Sequence, residues 1–147
     1  MKIVIQRVKK ASVTINNRLY SYINKGILAL VGIEKGDTKE FAEKLASKLI
    51  NLSIFPDEDG KMNRSIKDIK GEMLIVSQFT LCGDCKKGTR PSFDRSAPPA
   101  EADTLYKYFS ELISEEGIPV KTGQFGAMMD VELINDGPVT FILEKST

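Results

Sequence analysis

The spacing of apolar residues changes several times along the chain, and each change marks a boundary. The opening KIVIQRV alternates apolar and polar positions, as a half-buried strand does. Residues 2–8, 11–15, 19–23 and 26–34 read as short β segments rich in Ile and Val, separated by turn chemistry at Asn16-Asn17 and Asn24-Lys25-Gly26. An antiparallel meander is predicted. Past Asp37-Thr38 the period lengthens: Phe41, Leu45, Leu49 and Leu52 recur with Ala42 and Ala46 at helical spacing. Glu40 follows Asp37 by three positions, in the manner of a capping box. Residues 55–60, FPDEDG, form an acidic turn without the ordered ligand spacing of a calcium loop.

Residues 72–79, EMLIVSQF, stay apolar through Val76, the pattern of a strand covered on both faces and set centrally in a sheet. A loop over residues 82–99 leads to a second helix, where Leu105, Tyr108, Phe109, Leu112 and Ile113 make one stripe that Gly117 and Pro119 terminate. Strands at 120–124, 127–135 and 139–144 close the chain. Between the last two, Asp136-Gly137 is a strong hairpin signal, yet Pro138 stands where the returning strand would donate a ladder N–H. With roughly seven or eight strands and two helices, the expected class is α+β. The expected architecture is one compact β-rich domain over residues 1–147, with barrel-like antiparallel sheets.

A chain of 147 residues is long enough to bury a core without disulfides or metals. The longest apolar run, residues 27–33, is too short to cross a bilayer, so no membrane partner is expected. The alternating N-terminus reads as a strand and not a signal peptide, which makes a cytoplasmic location the default expectation. A net charge of +1 confines any nucleic-acid contact to a local patch and argues against DNA as a partner.

The chain has no histidine, which removes Ser-His-Asp and Cys-His catalysis and the commonest metal ligand. Neither a metal nor a cofactor is expected. The two cysteines, Cys82 and Cys85 of LCGDC, have the spacing of a redox pair or half a zinc site, but no second pair completes a tetrahedron. They read as an incidental surface pair, with a thiol redox protein as a rival reading.

Chemistry is best placed at SQFTL, residues 77–81, where small polar groups sit at the exit of the most buried strand. Ser77, Gln78 and Thr80 qualify; alternatively, Ser77 and Thr80 satisfy backbone groups at a strand end. After the opening IQRVKKASV, four motifs follow in order: SQFTL, KGTRPSF at 87–93, GQFGAMMDV at 123–131 and NDGPVT at 135–140. In this combination the chain resembles the bacterial-type D-aminoacyl-tRNA deacylase family over essentially its whole length.

The resemblance implies an enzyme that hydrolyses the ester of D-aminoacyl-tRNA, acting as a homodimer with its active site at the subunit interface. It implies a cis Gly137-Pro138 bond reaching into the partner's pocket, where backbone carbonyls screen the substrate's chirality. A rigid oxygen beside one α-carbon position admits only hydrogen there, so an L side chain clashes, a D side chain escapes and glycine is not excluded. Arg7 matches the family's QRV and is implied to brace the Gly-Pro carbonyls; the alternative is an ordinary surface arginine. Phe79 and Thr80 are implied to be catalytic through their backbone groups. The Thr80 hydroxyl has no evident base, so the substrate's own 2′-hydroxyl is expected to assist the attacking water.

Ser77 and Gln78 are implied to bind substrate. Ala100, Phe125 and Met129 are implied to line the pocket for the terminal adenosine of the acceptor end, with core packing as the alternative for Met129. Lys86, Lys87, Arg90 and Arg95 either meet acceptor-stem phosphates or form a solvated loop. A noncatalytic RNA-end binding module is the rival from another functional class.

Overall fold

The computed structural model describes residues 1–146. Its elements are β1 (Lys2–Ile15), β2 (Arg18–Ile23), β3 (Gly26–Gly32), α1 (Lys39–Asn51), β4 (Phe55–Pro56), β5 (Met62–Arg64), β6 (Glu72–Ser77), a 3-10 turn (Phe79–Cys82), α2 (Pro99–Glu115), β7 (Val120–Thr122) and β8 (Asp130–Glu144). The α+β class with two main helices on a β-rich sheet is as expected.

The first strand is longer than its pattern suggested. β1 runs unbroken through Lys9-Lys10, where two segments were expected. Ile3 and Ile5 face one core cluster, whereas Val8, Ala11 and Val13 face the other. Register shifts against β8 on both sides of Val8 allow this, because an extra residue in one strand reverses which face is buried.

The expected meander is also corrected. β8 pairs antiparallel with β1 from Thr14↔Asp130 to Lys2↔Glu144 and so occupies one edge. On the other edge β2 lies beside residues 11–15 and β3 beside residues 2–8. β2 and β3 are therefore successive stretches of one returning limb, interrupted at Asn24-Lys25. Asn16 and Asn17, both at positive φ (50° and 62°), make the tight β1–β2 turn.

β3, β6 and β7 run parallel to one another, in the register Val31↔Ser77 and Ile75↔Thr122. As its uninterrupted apolar run required, β6 is interior: Met73 and Ile75 enter one cluster, Leu74 and Val76 the other. The first cluster fills the space between the sheet and the helices, through Leu45, Leu49, Phe109 and Ile113. The second lies on the opposite face, where the sheet curls. There Ser21 Oγ of β2 donates to the Thr122 carbonyl of β7 at 2.8 Å, joining strands from the two ends of the hydrogen-bonded path.

Both helices differ in detail from the sequence reading. Thr38 caps α1 by accepting the Phe41 N–H at 3.2 Å. Asp37 instead accepts the Glu34 N–H at 2.7 Å and the Met1 ammonium at 2.8 Å, while Glu40 pairs with Lys44. In α2 the apolar stripe centres on Leu105, Phe109 and Ile113, with Tyr108 and Leu112 only partly buried. Tyr106 is buried there too, and it donates its hydroxyl to the Ile75 carbonyl at 2.6 Å. None of the helices among the described residues is long and apolar enough to cross a membrane.

Burial pushes the Tyr106 phenol up from its ordinary 10 to about 12. The folded state therefore holds this proton where the unfolded chain has released it. The corresponding stability is complete below about pH 10 and is lost as pH rises towards 12. Urea denaturation should show Tyr106→Phe less stable at neutral pH by about 1 kcal/mol, the worth of one buried hydrogen bond. Between pH 10 and 12 that deficit should narrow.

Candidate active site

Three parallel strands deliver their C-terminal ends to one end of the sheet, the place where loops can hold polar groups rigidly beside solvent. The SQFTL segment leaves β6 there, and Gln124-Phe125 leaves β7 alongside it. The strand ends at Ser77, not at Phe79 as its pattern suggested, and the chain tightens into the 3-10 turn. Gln78 makes the junction: its N–H donates to the Val31 carbonyl at 2.8 Å and its carbonyl accepts the Leu81 N–H at 3.2 Å. Gly32 at the end of β3 permits the close approach, since a Cβ there would lie 2.9 Å from Leu81 Cβ and 3.1 Å from the Gln78 carbonyl.

The turn presents backbone donors to solvent. The N–H groups of Phe79 and Thr80 open a 3-10 turn and have no acceptor among the hydrogen bonds of the described residues. Thr80 is exposed. Its hydroxyl oxygen accepts a hydrogen bond from the Gln78 side-chain amide, a group that cannot take up a proton. Phe79 is 58% exposed, and its ring lies 5.2 Å from that of Phe93 at 56°.

Segment 123–129 is loop, not the strand expected from residue 127 onward, and it turns at Gly126 (φ +78°). Phe125 packs near Tyr106, with ring centroids 6.2 Å apart. It lines a cleft of about 450 Å³ with Tyr20, Tyr106, Lys107, Thr122 and Gly123. Met129 leans on the second core cluster, and its sulfur sits where a Cβ on Gly123 would come within 2.6 Å. Ala100 is elsewhere: it lines a separate groove between the starts of α1 and α2, with Ile33, Lys39 and Thr104. The three residues assigned to one adenosine pocket are thus not gathered into one cleft within the chain.

NDGPVT does not form a hairpin. The chain keeps its direction on both sides of the motif, since Val8 pairs with Asn135 and Gln6 with Thr140, and residues 136–139 bulge out of a continuous β8. The bulge is closed at its base by Asn135, whose Oδ1 accepts the Val139 N–H at 3.0 Å and whose Nδ2 donates to Thr140 Oγ1 at 3.1 Å. The Gly137-Pro138 peptide bond is cis. Arg7 lies beneath it and is no surface arginine, with a side chain only 11% exposed. Its Nε donates to the Asp136 carbonyl at 3.0 Å and its Nη1 to the Ile54 carbonyl at 2.7 Å. The brace therefore grips the carbonyl just before Gly137, not those of Gly137 and Pro138. Nothing in the sequence pattern points to Ile54, and Asp136 enters it only as a turn residue.

Within one chain this bulge and SQFTL do not meet. Arg7 is in register with Ile27 and Ser77 with Val31, four residues apart along β3, or about 13 Å at roughly 3.3 Å per residue. The reading of the cysteines as a surface pair also changes. Cys82 is buried, with Sγ 3.4 Å from the Ile33 carbonyl and burial raising its thiol pKa, so only Cys85 is a surface residue. Of the basic loop, Arg95 is tied to Glu34 at 2.9 Å.

The candidate site is thus a tight 3-10 turn with open backbone N–H groups at the strand ends of a curled α+β domain, with a braced Gly-Pro bulge elsewhere on the same chain. The family follows from comparison: the model described as D-Tyr-tRNA(Tyr) deacylase matches residues 4–144, and the chain belongs to this family. It is 58% identical over 144 residues to the D-aminoacyl-tRNA deacylase of Geotalea daltonii, covering 98% of this chain and 96% of that one. A solved structure described as a c-Myc DNA Unwinding Element Binding Protein matches with a TM-score of 0.95 at 42% identity, over all of both chains. Another, described as a probable eukaryotic D-amino acid tRNA deacylase, shares the fold with a TM-score of 0.81 at 18% identity, over 97% of each chain.

Gly137 has φ +133°, and a Cβ on it would lie 2.8 Å from Val139 Cγ2 and 3.1 Å from Arg7 Nη2. Gly137→Ala should therefore destabilise the fold by about 1–3 kcal/mol, the usual cost of forcing such a backbone. Arg7→Lys, which cannot span both carbonyls as a planar fork does, should also destabilise, by about 1–3 kcal/mol. Chemical denaturation of both variants checks these values; wild-type stability in either would contradict the description of the bulge.

Proposed function

We propose that this chain hydrolyses the ester of D-aminoacyl-tRNA, releasing free D-amino acid and tRNA, and that it does so as a homodimer. The family membership supports the reaction. The single observation that carries the mechanism is the state of Thr80: an exposed hydroxyl whose only side-chain partner among the described residues is the Gln78 amide. Such a hydroxyl is a poor nucleophile, because nothing takes its proton. What the turn does offer is the pair of open N–H groups at Phe79 and Thr80, which suit an oxyanion forming at the ester carbonyl. Water is then the nucleophile, and the substrate's 2′-hydroxyl, adjacent to the ester, helps position and activate it by hydrogen bonding.

Chirality falls to the bulge. In this reading the carbonyls around Gly137 and Pro138 of one subunit complete the partner's pocket and leave room only for hydrogen at one α-carbon position. The roughly 13 Å between bulge and turn along β3 supports a site shared between subunits. So does β8, which among the described residues pairs with β1 alone and exposes Ile134, Phe141 and Ile142, an open apolar edge of the kind that strand-to-strand association covers. Arg7 holds the bulge in place through the Asp136 carbonyl that precedes Gly137. Phe125 and its cleft receive the terminal adenosine, with Ser77 and Gln78 nearby. Ala100 and Met129 join that pocket only where the partner or the substrate draws them in.

A protein acting on aminoacyl-tRNA works where translation does, in the cytoplasm. A net charge of +1 gives no broad basic field, so the DNA-binding function in the name of one structural relative is not the reading favoured for this chain.

The test is the release of D-tyrosine, L-tyrosine and glycine from their tRNA esters by the purified protein. The D-ester and the glycyl ester should be lost and the L-ester retained; cleavage of D and L alike would remove the chiral role of the bulge, and cleavage of none would leave an RNA-end binder. Thr80→Ala should keep activity within about tenfold. A substrate with a 2′-deoxy terminal ribose should lose about 100-fold or more, the usual worth of a hydrogen-bonding group positioned at the reacting water.

A further inference from the structure

We infer that Phe79 and Phe93 form a stacking platform for the unpaired nucleotide that precedes the terminal adenosine, with Lys86, Lys87 and Arg90 facing its phosphates. This takes the identity of the RNA from the function proposed above and adds a second base-binding site to it. Phe79 and Phe93 are 58% and 40% exposed and in ring contact at 5.2 Å. Two phenylalanines left adjacent in water beside a candidate active site offer the π surface on which single-stranded bases stack. Phe79 adjoins Thr80, so a base on this surface would lie next to the reacting end of the RNA.

The loop that carries Phe93 is held in place. Asp84 and Ser92 exchange backbone hydrogen bonds, 2.7 Å from the Asp84 N–H and 2.8 Å from the Ser92 N–H, which clamp the stem of residues 85–91. Gly83 lets the ring close over the stem, since a Cβ there would lie 3.1 Å from Phe93 Cε1. At the tip, Gly88 adopts φ +63°. Lys86, Lys87 and Arg90 are exposed and belong to none of the ion pairs among the described residues, in contrast to Arg95. The carboxylate nearest in sequence to Lys86 and Lys87, Asp84, is turned onto the Lys86 backbone N–H at 2.9 Å. Three unneutralised cations beside a clamped aromatic pair match a polyanion with exposed bases, and the chain's near-zero net charge makes them a local feature.

The probe is an uncharged RNA hairpin ending in single-stranded CCA, with a fluorescent cytidine analogue in the penultimate position. Wild-type protein should bind it and quench the analogue. Phe93→Ala should weaken binding by about tenfold or more and remove the quenching, whereas Phe93→Tyr keeps both. Lys87→Ala and Arg90→Ala should each lower the salt dependence of binding by roughly 0.7 in slope, as loss of one single-strand phosphate contact does. Met62→Ala removes an exposed apolar side chain elsewhere and should leave binding as it was.

Unchanged affinity and quenching in Phe93→Ala would overturn the platform. So would a loss of binding shared by Phe93→Tyr together with dissociation of the dimer in sedimentation, since the ring pair would then be a subunit contact. Because this RNA carries no ester, its quenching is read independently of the reaction: wild-type protein that quenches the probe yet leaves D-tyrosyl-tRNA uncleaved would refute the proposed reaction and keep the platform. Normal D-ester hydrolysis with no quenching would do the reverse.

Discussion

The pairing of β1 with β8 is the constraint on which the rest of the structure depends. β1 must face two cores, so it changes parity near Val8, and β8 follows that change by slipping register on both sides of the same residue. The slack is taken up by residues 136–139, which leave the ladder as a braced bulge. Pro138 needs no ladder partner because it stands in that bulge, outside the paired register. Arg7, on β1 at the same level, is the side chain placed to satisfy the Asp136 carbonyl thus released. One irregularity in a long strand pair therefore serves packing and also places a rigid stretch of backbone at the surface.

The other half of the site is likewise made of backbone. With no histidine in the chain and an amide as the partner of the Thr80 hydroxyl, side-chain acid–base chemistry has no obvious carrier. Open N–H groups on a tight turn need no titratable residue, and they are fixed by a junction that uses the Gln78 backbone in both directions. A stereochemical filter built from carbonyls has the same advantage: its oxygens cannot rotate away as a side chain can. In this account backbone supplies both selection and stabilisation, while side chains hold it still.

Much of this was legible in the sequence, for reasons that differ from element to element. β6 could be read because four consecutive buried residues leave no polar face, and α1 and α2 because their apolar spacing has a single period. The SQFTL and NDGPVT motifs drew attention to the turn and the bulge from which the proposed site is built. The continuity of β1 and β8 was hidden, since a bulge resets alternation and resembles a break, and Asp-Gly resembles a hairpin. The packing of β2 and β3 along one edge was hidden because local pattern does not specify pairing partners. Tyr106 escaped the apolar stripe through its hydroxyl, whose acceptor at Ile75 is distant in sequence. Ile54 escaped for a related reason, as a backbone carbonyl carries no letter. The placement of Ala100 away from Phe125 is a tertiary fact that motif order alone does not convey.

The central claim is that the turn of one subunit and the bulge of another make one site, and mixed dimers test it most directly. Phe79→Pro fits the opening position of the 3-10 turn but deletes an N–H, and Gly137→Leu places a side chain where the partner's pocket needs none. Each homodimer should be inactive on D-tyrosyl-tRNA. Co-refolded mixtures should regain activity, because a mixed dimer holds one site with an intact turn from one subunit and an intact bulge from the other. Mixtures no more active than the homodimers, although mixed dimers form, would contradict a shared site.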